Sequence, residues 1–206
     1  MVQSLYEKLY HPSVPASSRV VERFDGDVLD DRWNIHLQSG TSFDVDMLTG
    51  VDNGVEATIN GEDLGQLDFN IRLHYSNTAS VCIWVSKRVS TTTTQAWNGF
   101  HSNQALNSLQ CAFFRNSTAE TFIDLLTGDA GGVTAGNTSI PVDAVYHRYE
   151  VELRSSNCSA RMEGILEVTN TANLPTVGQN PVFMVDNLGI SGARTAQATY
   201  CEAYNT

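Results

Sequence analysis

Two carboxylates spaced two apart on a β-strand share one face, where they can flank a scissile bond, one as acid and one as nucleophile or base. Glu150-Val-Glu152 has this spacing. Its neighbours on the same face are Arg148 and Arg154, so the run reads as a solvated, charge-balanced surface. Asp44 and Asp46 in "FDVDM" share a face but lack a third acid, and "FID" at 122–124 offers a single aspartate. Glu163 and Glu167 fall on the wet side of a strand. The histidines His11, His36, His74, His101 and His147 are dispersed, and His147 alternates with core-type residues, as a packed imidazole does. No GxSxG elbow and no HExxH helix is present. No residue is therefore assigned as catalytic, and the chain is expected not to be an enzyme.

Metal chemistry has one candidate, the stretch "RFDGDVLDDRWNIH" at 23–36. Asp25, Asp27, Asp30 and Asp31 offer hard oxygen ligands of the kind calcium takes, with Asp186 as a further donor. The spacing is not that of an EF-hand, and Asp and Gly are also the ordinary residues of a turn. The simpler reading is strand, turn, strand: Phe24 and Trp33 anchor the core, Gly26 serves the turn and the acids face water. Apart from a structural calcium ion at these aspartates, no cofactor is implied.

Sugar recognition asks for less: aromatic faces to stack on rings, with amides, carboxylates and guanidinium groups for hydroxyls. On the run 80–88, Cys82, Trp84, Ser86 and Arg88 share one face. Trp97, Gly99 and His101 share a face of the following strand, with the glycine leaving room beside the rings. Asp68, Asn70, Arg72 and His74 form the polar face of the preceding strand. If the three faces join, Trp84, Trp97, Arg72, Arg88, His74 and His101 make a glycan groove. The competing reading places Trp84 and Trp97 in the core.

The elements that position these residues are strands. From Val20 onward apolar residues recur with period two, as in Leu67, Phe69, Ile71, Leu73 and Tyr75. Residues 146–168 read as one long hairpin with a wet side, and a turn at Ser156-Asn157 sets Glu152 opposite Arg161. The run "TGDAGGVTAGNTSIP" at 127–141 is the longest irregular piece. Short strands separated by Gly, Asn, Asp and Ser turns indicate an all-β, antiparallel two-sheet jelly-roll β-sandwich over 20–206. Residues 1–19 form a separate short N-terminal arm. Its Leu5, Tyr6, Leu9 and Tyr10 have helical spacing, and the arm is expected to pack on its own domain or on a neighbouring subunit.

Composition narrows the partners. The 206 residues carry a formal net charge of -11, which repels nucleic acid and anionic membranes alike. No apolar run is long enough to insert into a membrane. The N-terminal run lacks the basic start and apolar stretch of a signal peptide, which points to synthesis in a cytosol. A virion or extracellular surface would then be reached by assembly or release. Cys82, Cys111, Cys158 and Cys201 have no zinc spacing and read as free buried thiols, with a Cys82–Cys111 bridge open if their strands adjoin.

Three stretches carry a resemblance to a known family. "RFDG-DVLDDRW" resembles the first hairpin of concanavalin A-like lectin/glucanase sandwiches, a superfamily that includes LamG-like domains. "YHRYEVEL" resembles their late strand, and "ATYCEAYNT" the closing strand that returns beside the first. The resemblance implies one convex and one concave sheet, with glycans on the concave sheet or its rim. The Glu-x-Asp-x-(x)-Glu strand of that superfamily's glycosidases is absent. The expectation is therefore a non-catalytic display or adhesion component of a surface assembly such as a virion decoration, contacting other protein subunits and glycans. A soluble carbohydrate-binding module is the second reading, and a glycosidase or lyase with an atypical site the third.

Overall fold

The computed structural model describes residues 19–37, 42–48, 53–60, 64–69, 75–89, 95–102, 110–116, 121–186 and 193–206. The arm residues Leu5, Tyr6, Leu9 and Tyr10 lie outside them. Fifteen strands follow one another: β1 Arg19–Glu22, β2 Trp33–Leu37, β3 Ser42–Leu48, β4 Gly54–Asn60, β5 Leu64–Phe69, β6 Ala79–Arg88, β7 Gln95–His101 and β8 Cys111–Asn116. The second half contributes β9 Phe122–Asp129, β10 Gly132–Pro141, β11 His147–Arg154, β12 Cys158–Met162, β13 Ile165–Asn170, β14 Asn180–Asp186 and β15 Arg194–Asn205. No helix among the described residues is long and apolar enough to cross a membrane.

The strands form two antiparallel sheets, as the period-two pattern requires. One has eight strands in the order β13-β12-β11-β6-β15-β4-β3, with β1 paired to β15. The other has seven, in the order β10-β9-β8-β7-β14-β5-β2. Consecutive β6 and β7 lie in different sheets, so the chain crosses the sandwich between them. The closing strand returns beside the first, Arg19 opposite Tyr204 and Val20 opposite Ala203.

The inner faces meet in one core. Phe24, Trp33, Val55, Ala57, Ile59, Trp84, Tyr149 and Val151 pack against Phe100, Phe114, Ile123, Leu125 and Phe183. Its centre is aromatic: Trp84 lies 5.7 Å from Trp33 and 5.5 Å from Phe183, ring to ring, and Phe24 lies 5.4 Å from Trp33. Phe24 and Trp33 are the core anchors that the sequence indicates. The turn between them is a local one. Asp30 Oδ1 accepts the Arg32 amide at 2.9 Å and its carbonyl accepts the Trp33 amide at 3.1 Å.

Three sequence expectations are corrected here. The run 127–141 is the β9–β10 hairpin rather than an irregular loop. Asp129 Oδ1 closes its turn by accepting the Gly131 and Gly132 amides at 2.7 and 3.1 Å. Its small polar residues hide a strand, because β10 buries only alternate positions such as Thr138 and Ile140. The β11–β12 turn lies one residue earlier than read, so Arg161 stands opposite Glu150 and Ser159 opposite Glu152. The long second arm of that hairpin is in fact two strands. Glu163 (φ 51°) and Gly164 (φ 81°) make a tight left-handed turn that folds β13 back on β12.

Candidate functional site on the outer face of the seven-stranded sheet

Each sheet has an outer face, and the two differ in chemistry. On the eight-stranded sheet the outer face of β11 and β12 is an ion-pair ladder. Arg148 pairs with Glu150 at 2.9 Å, and Arg161 reaches Glu152 at 2.7 Å and Glu150 at 3.5 Å, while Arg154 also pairs with Glu152. Burial works against the charge of Glu152, but the hydrogen bonds from Arg161 and Arg154 outweigh it and hold the carboxyl below its usual range. Acids neutralised in this way are not poised as a proton donor and a nucleophile. His147 packs edge-on against Tyr149, ring centroids 6.1 Å apart, but its nitrogens also face acids. Its Nε2 lies 3.1 Å from Asp143 Oδ1 and its Nδ1 3.6 Å from Glu163.

The outer face of the seven-stranded sheet is different. Ala96, Phe100, Ala112, Phe114, Ile123 and Leu125 face the core. Alternation then sends Trp97, Phe113, Arg115, Asp124 and Leu126 outward. The register aligns them in rows across β14, β7, β8 and β9. One row reads Met184, Trp97, Arg115, Asp124; the next reads Val182, Gly99, Phe113, Leu126; a third reads Asn180, His101, Cys111, Gly128. Trp97, half-buried, stacks on Phe113 with ring centroids 5.2 Å apart and planes 7° apart. Cys111, Phe113, Leu126, Val182 and Met184 form a second apolar cluster beneath it.

Three polar atoms on this face lack partners. Trp97 Nε1, Arg115 Nε and Asn180 Oδ1 are buried, and none has a hydrogen-bond partner. Such atoms carry a desolvation cost of about 1–3 kcal/mol each unless a ligand meets them. Asp124 is 6 % exposed and held by other interactions. Among the described residues no second carboxylate occupies a neighbouring position. Asp186 shares the face on β14, three strands from β9, which at ordinary strand spacing is roughly 14 Å.

The glycan groove inferred from sequence divides between the two sheets. Trp97 and His101 do share this outer face. Trp84 does not: it is 1 % exposed at the centre of the core, on the inner face of β6. Arg88 is equally buried. It donates to Tyr149 Oη at 2.9 Å, the Ala96 carbonyl at 3.2 Å and Asn98 Oδ1 at 3.4 Å, and so ties β6 to β7 and β11 through the interior. Arg72 and His74 lie outside the described residues. Gly99 does not leave space for a ligand. A Cβ there would lie 2.6 Å from the Ala112 carbonyl oxygen and the Phe113 Cα, so the glycine permits close approach of β8.

The aspartate stretch does not gather as a metal site. Asp25, Asp27, Asp30 and Asp31 are exposed, and Asp30 is engaged with Arg32, its Oδ1 lying 2.9 Å from Arg32 Nε. No group of three or more His, Cys, Asp or Glu able to hold a metal exists among the described residues. The Cys82–Cys111 bridge is also excluded. Cys82 faces the core from β6, whereas Cys111 lies on the outer face of β8, and all four cysteines are free.

Arg115, Asp124, Phe113 and Asn180 are the site residues that the sequence did not reveal. "CAFFRN" opens with four consecutive apolar residues, so alternation could not say which of them face out. Asp124 stood as an isolated acid until the register placed it in the Trp97 row.

No family model and no curated protein matches the chain. Its fold nevertheless superimposes on solved structures. An apo Crh5 transglycosylase matches with a TM-score of 0.65 and 14 % identity, over 93 % of this chain and 85 % of that one. A β-glucanase of Bacillus licheniformis matches with a TM-score of 0.63 and 10 % identity, over 93 % and 100 %. A pseudo β-1,3-glucanase of Mycobacterium tuberculosis matches with a TM-score of 0.65 and 12 % identity, over 93 % and 100 %. These neighbours correct the functional expectation drawn from sequence. The reading as a non-catalytic display or adhesion component, and with it the exclusion of an enzyme, gives way, because solved structures of this shape include glucanases and a transglycosylase. Virion, decoration and adhesion roles find no support among them. At these identities the likeness establishes the fold alone: the chain shares the concanavalin A-like jelly-roll architecture of these structures.

Proposed function

We propose that this protein is a glycosidase-like protein that holds a β-linked polysaccharide across the outer face of its seven-stranded sheet. The observation that carries the reading is the row Trp97, Arg115, Asp124 beside Phe113. It combines a stacking platform, a guanidinium and a carboxylate, the three groups sugar recognition uses. Trp97 would bear a sugar ring, Arg115 would bond its oxygens, and Asp124 is the acid nearest the platform. The similarity to glucanases and a transglycosylase supports the substrate class.

Binding and turnover make separate demands. Hydrolysis or transfer by paired acids needs a second carboxylate about 5–10 Å from the first. The described residues give Asp124 no such neighbour, so turnover is the stricter half of the proposal. The test incubates the protein with laminarin, lichenan and chitin oligosaccharides, measuring retention by affinity electrophoresis and new reducing ends or transfer products. The expected result is retention of at least one glycan, weakened at least tenfold by Trp97→Ala. Turnover should be lost in Asp124→Asn with retention kept. Absence of both retention and products on all three glycans overturns the proposal.

A further inference from the structure

The two unpartnered donors on the candidate face point to a narrower class of ligand. Trp97 and Arg115 are register partners on adjacent strands, and Trp97 Nε1 and Arg115 Nε are both buried without an acceptor. An indole N–H only donates, and a guanidinium donates through all its nitrogens and accepts through none. Among the described residues no carboxylate is paired with Arg115. Asp124 stands opposite it in register and carries an interaction of its own. A sugar hydroxyl arriving here brings a hydrogen that finds no acceptor on either side chain. A carboxylate or sulfate oxygen brings only lone pairs, and a planar guanidinium suits such groups well.

We infer that the Trp97–Arg115 pair is a subsite for an anionic substituent, so that the polysaccharide this protein prefers carries uronate or sulfate groups. The inference rests on the proposed glycan-binding reading of this face and goes beyond it, since the reading alone holds equally for neutral glucans. The chain's net charge of -11 opposes any anion at long range. Recognition must therefore come from short-range donors in a buried setting, where salt screens less than at an open surface. Asn180 Oδ1, an unpartnered acceptor one row beyond Phe113, would meet a hydroxyl of the same chain.

The experiment measures retention of the whole protein by laminarin (neutral), alginate (uronate) and chemically sulfated laminarin (sulfate), at low and physiological salt. At least tenfold stronger retention by one acidic glycan than by laminarin is expected. Alginate alone identifies a carboxylate, sulfated laminarin alone a sulfate, and both together a site that reads charge. Arg115→Gln should abolish the preference, because it lowers retention of the acidic glycan at least tenfold and that of laminarin by a much smaller factor. Arg115→Lys, which keeps the charge without the planar fork, should restore part of it. Trp97→Phe, which keeps a ring but removes the N–H, should lower the preference several-fold. Equal retention of neutral and acidic glycans, or a preference that survives Arg115→Gln, overturns the inference and leaves the glycan-binding reading standing. Retention of none of the three overturns the inference, and if lichenan and chitin oligosaccharides are neither retained nor turned over it overturns the glycan-binding reading as well.

Discussion

Trp84 and Trp97 are thirteen positions apart and chemically identical, yet their surroundings assign them different work. Trp84 is sandwiched among Phe24, Trp33 and Phe183 at the centre of the core. Trp97 lies half-buried on the opposite side of the other sheet, flat against Phe113. Truncating a fully buried large aromatic removes its transfer free energy and leaves a cavity, at a cost of about 3–5 kcal/mol. Trp84→Ala should therefore lower the unfolding free energy by that much, read by urea unfolding. Its effect on glycan retention should be no larger than the loss of folded protein. A selective loss of binding in a stably folded Trp84→Ala protein would place the ligand on the wrong sheet. Arg88 belongs with Trp84. Its guanidinium is satisfied by Tyr149 and the β7 backbone, so it holds the two sheets together and does not wait for a ligand.

At the scale of elements, the β11–β12 hairpin shows how one register decides a surface. Placing Arg161 opposite Glu150 lets it bond Glu152 diagonally while Arg154 approaches from the same strand, so Glu152 has two cationic partners. The sign of the resulting pH dependence follows from its lowered pKa. A carboxylate depressed in the folded state stabilises fully above its unfolded value near 4.5, and that stabilisation is lost as pH falls through the lower folded value. Thermal melts of the wild type should show an acid limb beginning near pH 4.5. In Glu152→Gln this limb should be shallower, with the two proteins converging at the lowest pH. An unchanged acid limb would mean that these partners contribute nothing to folding. The β9–β10 hairpin teaches the complementary lesson. Its Gly- and Thr-rich sequence resembles a loop because small side chains suffice where an edge strand buries alternate positions.

The whole molecule is a sandwich with a single core and a second apolar cluster outside one sheet. That arrangement dictates the behaviour of the thiols. All four cysteines are buried and free. Burial pushes Cys111 up to about 12, against the pull of the Arg115 cation, and raises Cys158 and Cys201 as well. Raised thiols stabilise the fold below their ordinary value near 9, and that contribution is lost as pH rises through the folded values. In the native protein at pH 8, Ellman's reagent should titrate fewer than one thiol over an hour, and four at once in guanidinium chloride. Reductant should leave the melting temperature unchanged. Rapid labelling of a native thiol would show that one of the two apolar clusters opens readily.

Much of the architecture was legible along the chain. Period-two alternation named most strands, Phe24 and Trp33 stood out as anchors either side of an aspartate-rich turn, and the closing strand beside the first was foreshadowed by "ATYCEAYNT". The first two features depend on residues two to ten positions apart, within reach of local physics, whereas the closing strand pairs with the first from Arg19 to Tyr204 and was indicated by the resemblance alone. The arginines flanking Glu150 and Glu152 likewise marked a surface ladder rather than an acid pair. The sheet membership of Trp84 and Trp97 was not legible. It is fixed by β6 pairing with β11 and β15 and by β7 pairing with β8 and β14, with partners as far apart as Ser80 and Asn205. Both strands are apolar on both faces, so alternation offers two equal answers. Only the packed sandwich, by burying one face of each sheet against the other, sends Trp84 inward and leaves Trp97 beside Arg115 and Asp124.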